Sequence, residues 1–251
     1  MLSSLLAHSR KHIQMGRASL GSFEANCYLI QYSKDKLLVV DPGENPGVII
    51  DYLKNIKSQI SELNVYLTHG HFDHTAGLPD VCNVFPNAKV FACKKDMQLF
   101  TSAKYNLSDA SSHPFTLEKY LDKFVFVQDG EVLPLSGLNK NSNEASNNSK
   151  SDEEIFTVIE TPGHTPGSTL LKVENKTQKM LFTGDTLFQG SIGNTELLLG
   201  DYEQIMKSIM EKVYPLPDEF IVFPGHGIPT TVGTEKKENP FILDELKKRN
   251  Q

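Results

Sequence analysis

The stretch Thr68-His69-Gly70-His71-Phe72-Asp73-His74 decides how the rest of this 251-residue chain is read. It sets four side chains able to ligate a metal, His69, His71, Asp73 and His74, within six residues, and the apolar run Asn64 to Leu67 leads straight into it. Three further candidates stand far downstream: His164 in ETPGHTPGS, Asp185 in LFTGDTLF and His226 in VFPGHGIP. Neutral imidazole and carboxylate suit zinc and other first-row metals. Seven ligands are too many for one tetrahedral ion, so the pattern predicts two metals side by side, a hydrolase arrangement. A single histidine on a strand is more often a packed or surface residue, and that reading is kept for His8, His12 and His113.

Working outward, strands are expected at Cys27–Ile30, Lys36–Val40, Asn64–Leu67, Lys89–Ala92, Ile155–Glu160, Thr169–Val173, Met180–Thr183 and Phe220–Phe223. Phe124–Val127 and Glu131–Leu135, on either side of Gly130, read as a hairpin. Helical spacing marks 46–60, 75–84, 94–103, 202–213 with Asp201 as N-cap, and 240–248. Strands mixed with helices indicate an α/β layered fold. In VYLTHGH, FTVIETPGH, MLFTGD and FIVFPGH an apolar strand runs through a sharp turn into a ligand. The C-terminal ends of those four strands are therefore expected on one edge, where open sheets place their sites. Gly163, Gly184 and Gly225 each precede a ligand directly, which suits a tight turn and close backbone approach. In an extended stretch residues two apart point the same way, so His69 and His71 are expected on one metal, with His164 completing it. Asp73 and His74, after a turn at 70–72, reach a neighbouring position with His226, and Asp185 bridges.

The bulk properties narrow the function. A net charge of −6 argues against a nucleic-acid footprint, which needs a basic face. No apolar run approaches the ~20 residues of a membrane span. Cys27, Cys82 and Cys93 are an odd number without metal-type spacing, so small core residues in a reducing, cytoplasmic compartment are expected. Residues 1–17 hold Arg10, Lys11 and Arg17 and no acid, a faint likeness to a mitochondrial transit peptide; they are read as a short arm into the first strand. Between Ser136 and Glu154, five asparagines and five serines crowd in with almost nothing apolar, which reads as a flexible insertion in one loop of a single domain spanning 1–251.

HxHxDH at 69–74, followed by TPGHTPGS, FTGDTLF and FPGHG, resembles the metallo-β-lactamase superfamily, and the resemblance runs from NCYLI near residue 26 to the closing helix. It implies a four-layer αββα sandwich with a dinuclear site at the shared edge of its sheets. It assigns His69, His71 and His164 to one metal, Asp73, His74 and His226 to the other, and Asp185 between them. Within the superfamily, Gly190-Ser191-Ile192-Gly193, Gly200-Asp201 and 230–241 are most similar to short, single-domain members of the glyoxalase II group, the hydroxyacylglutathione hydrolases. Two departures stand out: about two dozen residues follow His226, where full-length members carry a helical domain, and Asn194 stands where short relatives usually have arginine. The resemblance implies hydrolysis of a small acyl-thiol such as S-lactoylglutathione by a hydroxide bridging two divalent ions, most simply zinc, with iron or manganese as other metals. Asp73 and Asp185 are the catalytic carboxylates, Asp73 orienting the hydroxide. Other readings on the same fold are a mononuclear-iron persulfide dioxygenase, a hydrolase of another ester, lactone or phosphodiester, and a non-catalytic metal-stabilised scaffold. A β-lactamase is disfavoured, since many carry cysteine where Asp185 stands.

Overall fold

The computed structural model describes residues 13–135 and 155–249. The insertion expected at 136–154 and the basic arm up to residue 12, with His8 and His12, lie outside the described residues. Two sheets face each other. The first runs β1 (Gln14–Leu20), β2 (Ala25–Ser33), β3 (Lys36–Val40), β4 (Glu62–Tyr66), β5 (Val90–Cys93) and β6 (Phe124–Val127) in spatial order. β1 to β3 form an antiparallel meander, and β3 to β6 are parallel. The second sheet is built from β7 (Ile155–Glu160), β8 (Thr169–Glu174), β9 (Lys179–Gly184), β12 (Ile221–Pro224) and β13 (Thr230–Thr231). A two-strand hairpin, β10 (Leu187–Phe188) with β11 (Ser191–Ile192), stands between them in sequence.

Side-chain alternation along the strands divides the interior into three cores. Leu37 and Val39 of β3 join Leu29, Val65 and the helices at 47–56 and 78–84 in one outer core, while Leu38 and Val40 turn inward. Between the sheets, Tyr28, Ile30, Leu38, Val40, Tyr66 and Phe91 meet Phe156, Val158, Leu171, Val173, Phe182 and Phe223. On the far side Leu170, Leu181 and Val222 pack against 202–213 and the C-terminal helices. The result is the expected helix–sheet–sheet–helix order, with both faces of both sheets covered. Cys27, Cys82 and Cys93 are buried free thiols within it.

One expectation fails. Phe124–Val127 does not pair with 131–135; it lies parallel beside β5. Gly130, with φ +77°, turns the chain away, and 131–135 crosses to the second sheet, where Leu133 N–H donates to Phe156 O at 2.8 Å. A hairpin would have left Leu133 and Leu135 against the edge of one sheet; the crossing seats both in the core between the two. The expected helix at 202–213 ends as a π-helix over 209–213, and a helix at 232–238, capped by Thr231 accepting from Thr234 N–H, was not anticipated. No helix of the described residues is long and apolar enough to cross a membrane.

Candidate metal centre

β7, β9 and β12 run in one direction in the second sheet, and the chain leaving each of them, like that leaving β4 in the first, carries the expected ligand to one edge of the sandwich. After β4 the backbone bends at 68–71 and enters a single helical turn, 72–75, at once. Asp73 and His74 therefore sit on a helix, not beyond a loop. The rings of His69 and His71 lie 4.9 Å apart, and His71 Nδ1 is 2.9 Å from His164 Nε2. His74 Nε2 stands 3.2 Å from His226 Nε2, 3.3 Å from Asp185 Oδ1 and 3.6 Å from Asp73 Oδ2. The second oxygen of Asp185 is 3.4 Å from His226 Nε2 and 3.6 Å from His164 Nε2, so its carboxylate touches both halves of the cluster. All seven expected residues meet; His113 is exposed and elsewhere in sequence and contact.

Inward-facing atoms fall into three overlapping triads, His69–His71–His164, His69–His74–Asp185 and Asp73–His74–His226, each within 4.8 Å. A metal fits this cluster, because His69 Nε2, His71 Nε2 and Asp185 Oδ1 are buried without a hydrogen-bond partner. Orphaned buried polar atoms are costly, and three together indicate a missing common partner. The outer ring nitrogens are held by the chain. His164 Nδ1 donates to Asn194 O at 2.8 Å and His226 Nδ1 to Phe23 O at 2.9 Å. Thr68 Oγ1 donates to Asp41 Oδ2 and accepts from His69 Nδ1 at 3.1 Å; His74 Nδ1 donates to Asp41 Oδ2 at 3.0 Å. In each of these four rings the neutral form so fixed leaves Nε2 free to ligate.

Electrostatics divide the cluster. Burial, reinforced by neighbouring imidazoles, pushes His69 well below the usual histidine range and His71 down to about 3. Burial likewise lowers His164. Burial also opposes charge on His74 and His226, but Asp73 and Asp185 overcome it, raising His74 well above its ordinary value and His226 to about 9. The same contacts hold both carboxylates below the usual range in spite of their burial. The cluster thus keeps protons on His74 and His226 that a bound cation displaces.

Gly225 makes the close approach expected of it: a Cβ there would lie 2.2 Å from Asp185 Oδ1 and 2.8 Å from His74 Cε1. Two features escaped sequence reading. Asp41, directly after β3, sits at φ +50° and also accepts from Thr68 N–H at 2.8 Å. Asp96 is wholly buried after β5, and burial pushes its carboxyl up to about 6 even though three donors face it. For the first, the Asp-Pro-Gly following an apolar strand was the available signal; Asp96 had none. Asn194 turns its side-chain oxygen back to accept from Glu196 N–H at 2.8 Å.

The cluster is open on one side only: the His226 side chain is 26% exposed and Asp73 14%, against 2% or less for His69, His71, His74 and His164. Phe23 meets Phe72 edge-on at 5.5 Å, and Phe188 meets His226 at 6.0 Å, so aromatic rings border that opening.

A sequence profile of the Metallo-beta-lactamase superfamily matches residues 20–226. The hydroxyacylglutathione hydrolase GloC of Haemophilus influenzae is 33% identical to this chain, over 88% of this chain and 94% of its own length. The probable metallo-hydrolase YqgX of Bacillus subtilis is 32% identical, over 90% and 96%. Among solved structures, BLEG-1 B3 metallo-β-lactamase superposes with a TM-score of 0.76 at 31% identity, over 91% of this chain and 99% of that one. TTHA1623, solved in a di-iron-bound form, superposes with 0.68 at 25% identity, over 90% and 99%.

Proposed function

This chain belongs to the metallo-β-lactamase superfamily, and we propose that it is a dinuclear thiolester hydrolase acting on hydroxyacylglutathione-type substrates such as S-lactoylglutathione. The observation that carries the reading is the carboxylate of Asp185, which faces His74 through Oδ1 and both His226 and His164 through Oδ2, with no hydrogen bond made by the buried Oδ1. One such group shared between two ligand triads suits two cations and is superfluous for one. The 33% identity to a hydroxyacylglutathione hydrolase supports the substrate class.

His69, His71 and His164 would hold one ion, Asp73, His74 and His226 the other, and Asp185 both. Two divalent ions so held, most simply zinc, lower the pKa of water and polarise an acyl carbonyl. The remaining work belongs to the chain. Asp73, fixed on its helical turn and 3.3 Å from His226 Nε2, orients the attacking water by accepting its hydrogen bond. Asp41 locks the tautomer of His74 from below. The border of Phe23, Phe72 and Phe188 limits water at the open side, where the substrate enters.

Elemental analysis combined with a steady-state assay tests this. About two zinc or iron ions per chain and rapid cleavage of S-lactoylglutathione are expected. The reading fails if a fully metallated protein leaves that substrate and other acyl-thiols intact. One iron per chain with oxygen consumption on a persulfide would install the dioxygenase in its place. A second expected result concerns Asp41. In Asp41→Asn an amide N–H2 must face the Thr68 donors or His74 Nδ1–H, and zinc affinity at the Asp73–His74–His226 triad falls about 10–100-fold, read by competition with a chelator.

A further inference from the structure

Asp96 touches no imidazole, yet every acceptor site it uses is spent on a loop that carries one. Its Oδ2 accepts from Gly70 N–H at 2.8 Å, the peptide between His69 and His71. The same oxygen accepts from Thr165 Oγ1 at 2.8 Å, the residue after His164, and Oδ1 accepts from Gly167 N–H at 2.6 Å. The Thr165 hydroxyl is committed: its proton goes to Asp96, and Ser168 Oγ lies 2.8 Å away as the donor on its other side. Asp96 is fully buried, and among the contacts of its carboxylate there is no lysine or arginine. A buried anion balanced only by neutral donors is an expensive way to brace a fold, because burial of unpaired charge opposes folding and an apolar side chain could fill the volume. The two loops it joins come from different sheets, one following β4 and the other β7. Asp41 offers a contrast: it accepts from His74 and from Thr68, whose hydroxyl holds His69, so it serves both halves of the cluster.

We infer that Asp96 is a positioning residue for one metal site, the strut that sets the distance between the His69–His71 loop and the His164 loop and so the bite of the His69–His71–His164 triad. The inference rests on the dinuclear reading only for the identity of the cation. Two of its three hydrogen bonds end on a residue next to a member of that triad, Gly70 and Thr165, the third ends on Gly167 in the His164 loop, and none ends on Asp73, His74, His226 or Asp185 themselves. In Asp96→Asn one side of the group becomes a donor facing Gly167 N–H or Gly70 N–H. A donor then opposes a donor in the interior, and the loops separate.

The test titrates apo protein with zinc by calorimetry and compares the two binding steps, the step lost in His164→Ala identifying the triad. Asp96→Asn weakens that step by about tenfold or more and leaves the other within about twofold. Leu53→Ala, a core truncation on the helix at 47–56, lowers the melting temperature without favouring either step. Equal weakening of both steps by Asp96→Asn, or of neither, overturns the inference. Should Asp96→Asn fail to fold, Thr165→Val removes one arm of the strut and decides the matter by the same selective loss or its absence. If the wild type binds a single zinc and cleaves no thiolester, the dinuclear hydrolase reading fails. Asp96 is then still judged on that one step against Leu53→Ala, with equal losses counting against it.

Discussion

Replacing Asp185 by asparagine lowers thiolester turnover about a thousandfold, equivalent to about 4 kcal/mol of barrier, and removes one metal equivalent per chain. The size of the effect follows from where the group sits. Oδ1 lies 3.3 Å from His74 Nε2, while Oδ2 lies 3.4 Å from His226 Nε2 and 3.6 Å from His164 Nε2. Asparagine can present oxygen to one half and must turn an N–H2 toward the other, a donor aimed at a cation. It also deletes one of the two negative charges, Asp73 and Asp185, set against five imidazoles at this cluster. Steady-state kinetics and elemental analysis on protein with an unchanged circular dichroism spectrum check it. Turnover within tenfold of wild type would remove Asp185 from the centre of the mechanism.

Gly225→Ala is expected to do comparable harm without replacing a ligand. The added methyl would lie 2.2 Å from Asp185 Oδ1, 2.8 Å from His74 Cε1 and 2.9 Å from the carbonyl carbon of Gly184. None of these can retreat cheaply. His74 is anchored by Asp41, and the main chain of Gly184 and Gly225 is joined by a 2.8 Å hydrogen bond. Overpacking of this kind costs about 1–3 kcal/mol of stability. Zinc content falls to about one ion per chain or less, because His74 belongs to two of the three triads. Differential scanning calorimetry and zinc analysis read both effects, and a fully metallated Gly225→Ala protein would show that the loop yields.

The ligands were legible because their chemistry has a spacing: His69, His71, Asp73 and His74 crowd one segment, and His164, Asp185 and His226 each follow a strand and a glycine. Strand β3 was equally plain, since both of its faces are buried and KLLVV is a nearly continuous apolar run. The failures have a common cause. Whether 131–135 returned to its own sheet or crossed to the other depended on which core lacked Leu133 and Leu135, a property of the assembled sandwich. The helix at 232–238 is VGTEKKE, with glycine near its start and four charges, and its stability comes from Val232 and Glu235 buried against neighbours. Asn194 and Phe23 each act through one backbone carbonyl and Asp96 through three hydrogen bonds to distant loops, and such contacts carry no periodicity.

The loop that carries His226 is gripped from the other end of the polypeptide. Asn26 Nδ2 donates to Pro224 O at 2.9 Å and to Gly227 O at 3.0 Å, Tyr28 Oη donates to Pro224 O at 2.6 Å, and Arg17 Nη1 donates to Gly227 O at 3.1 Å. Phe23 supplies the carbonyl for His226 itself. Residues 17–28 are thereby tied to residues 224–227, some two hundred positions later. Of the three triads, the one holding His226 is thus the one that depends on this long-range closure, while His69, His71 and His164 come together through other contacts.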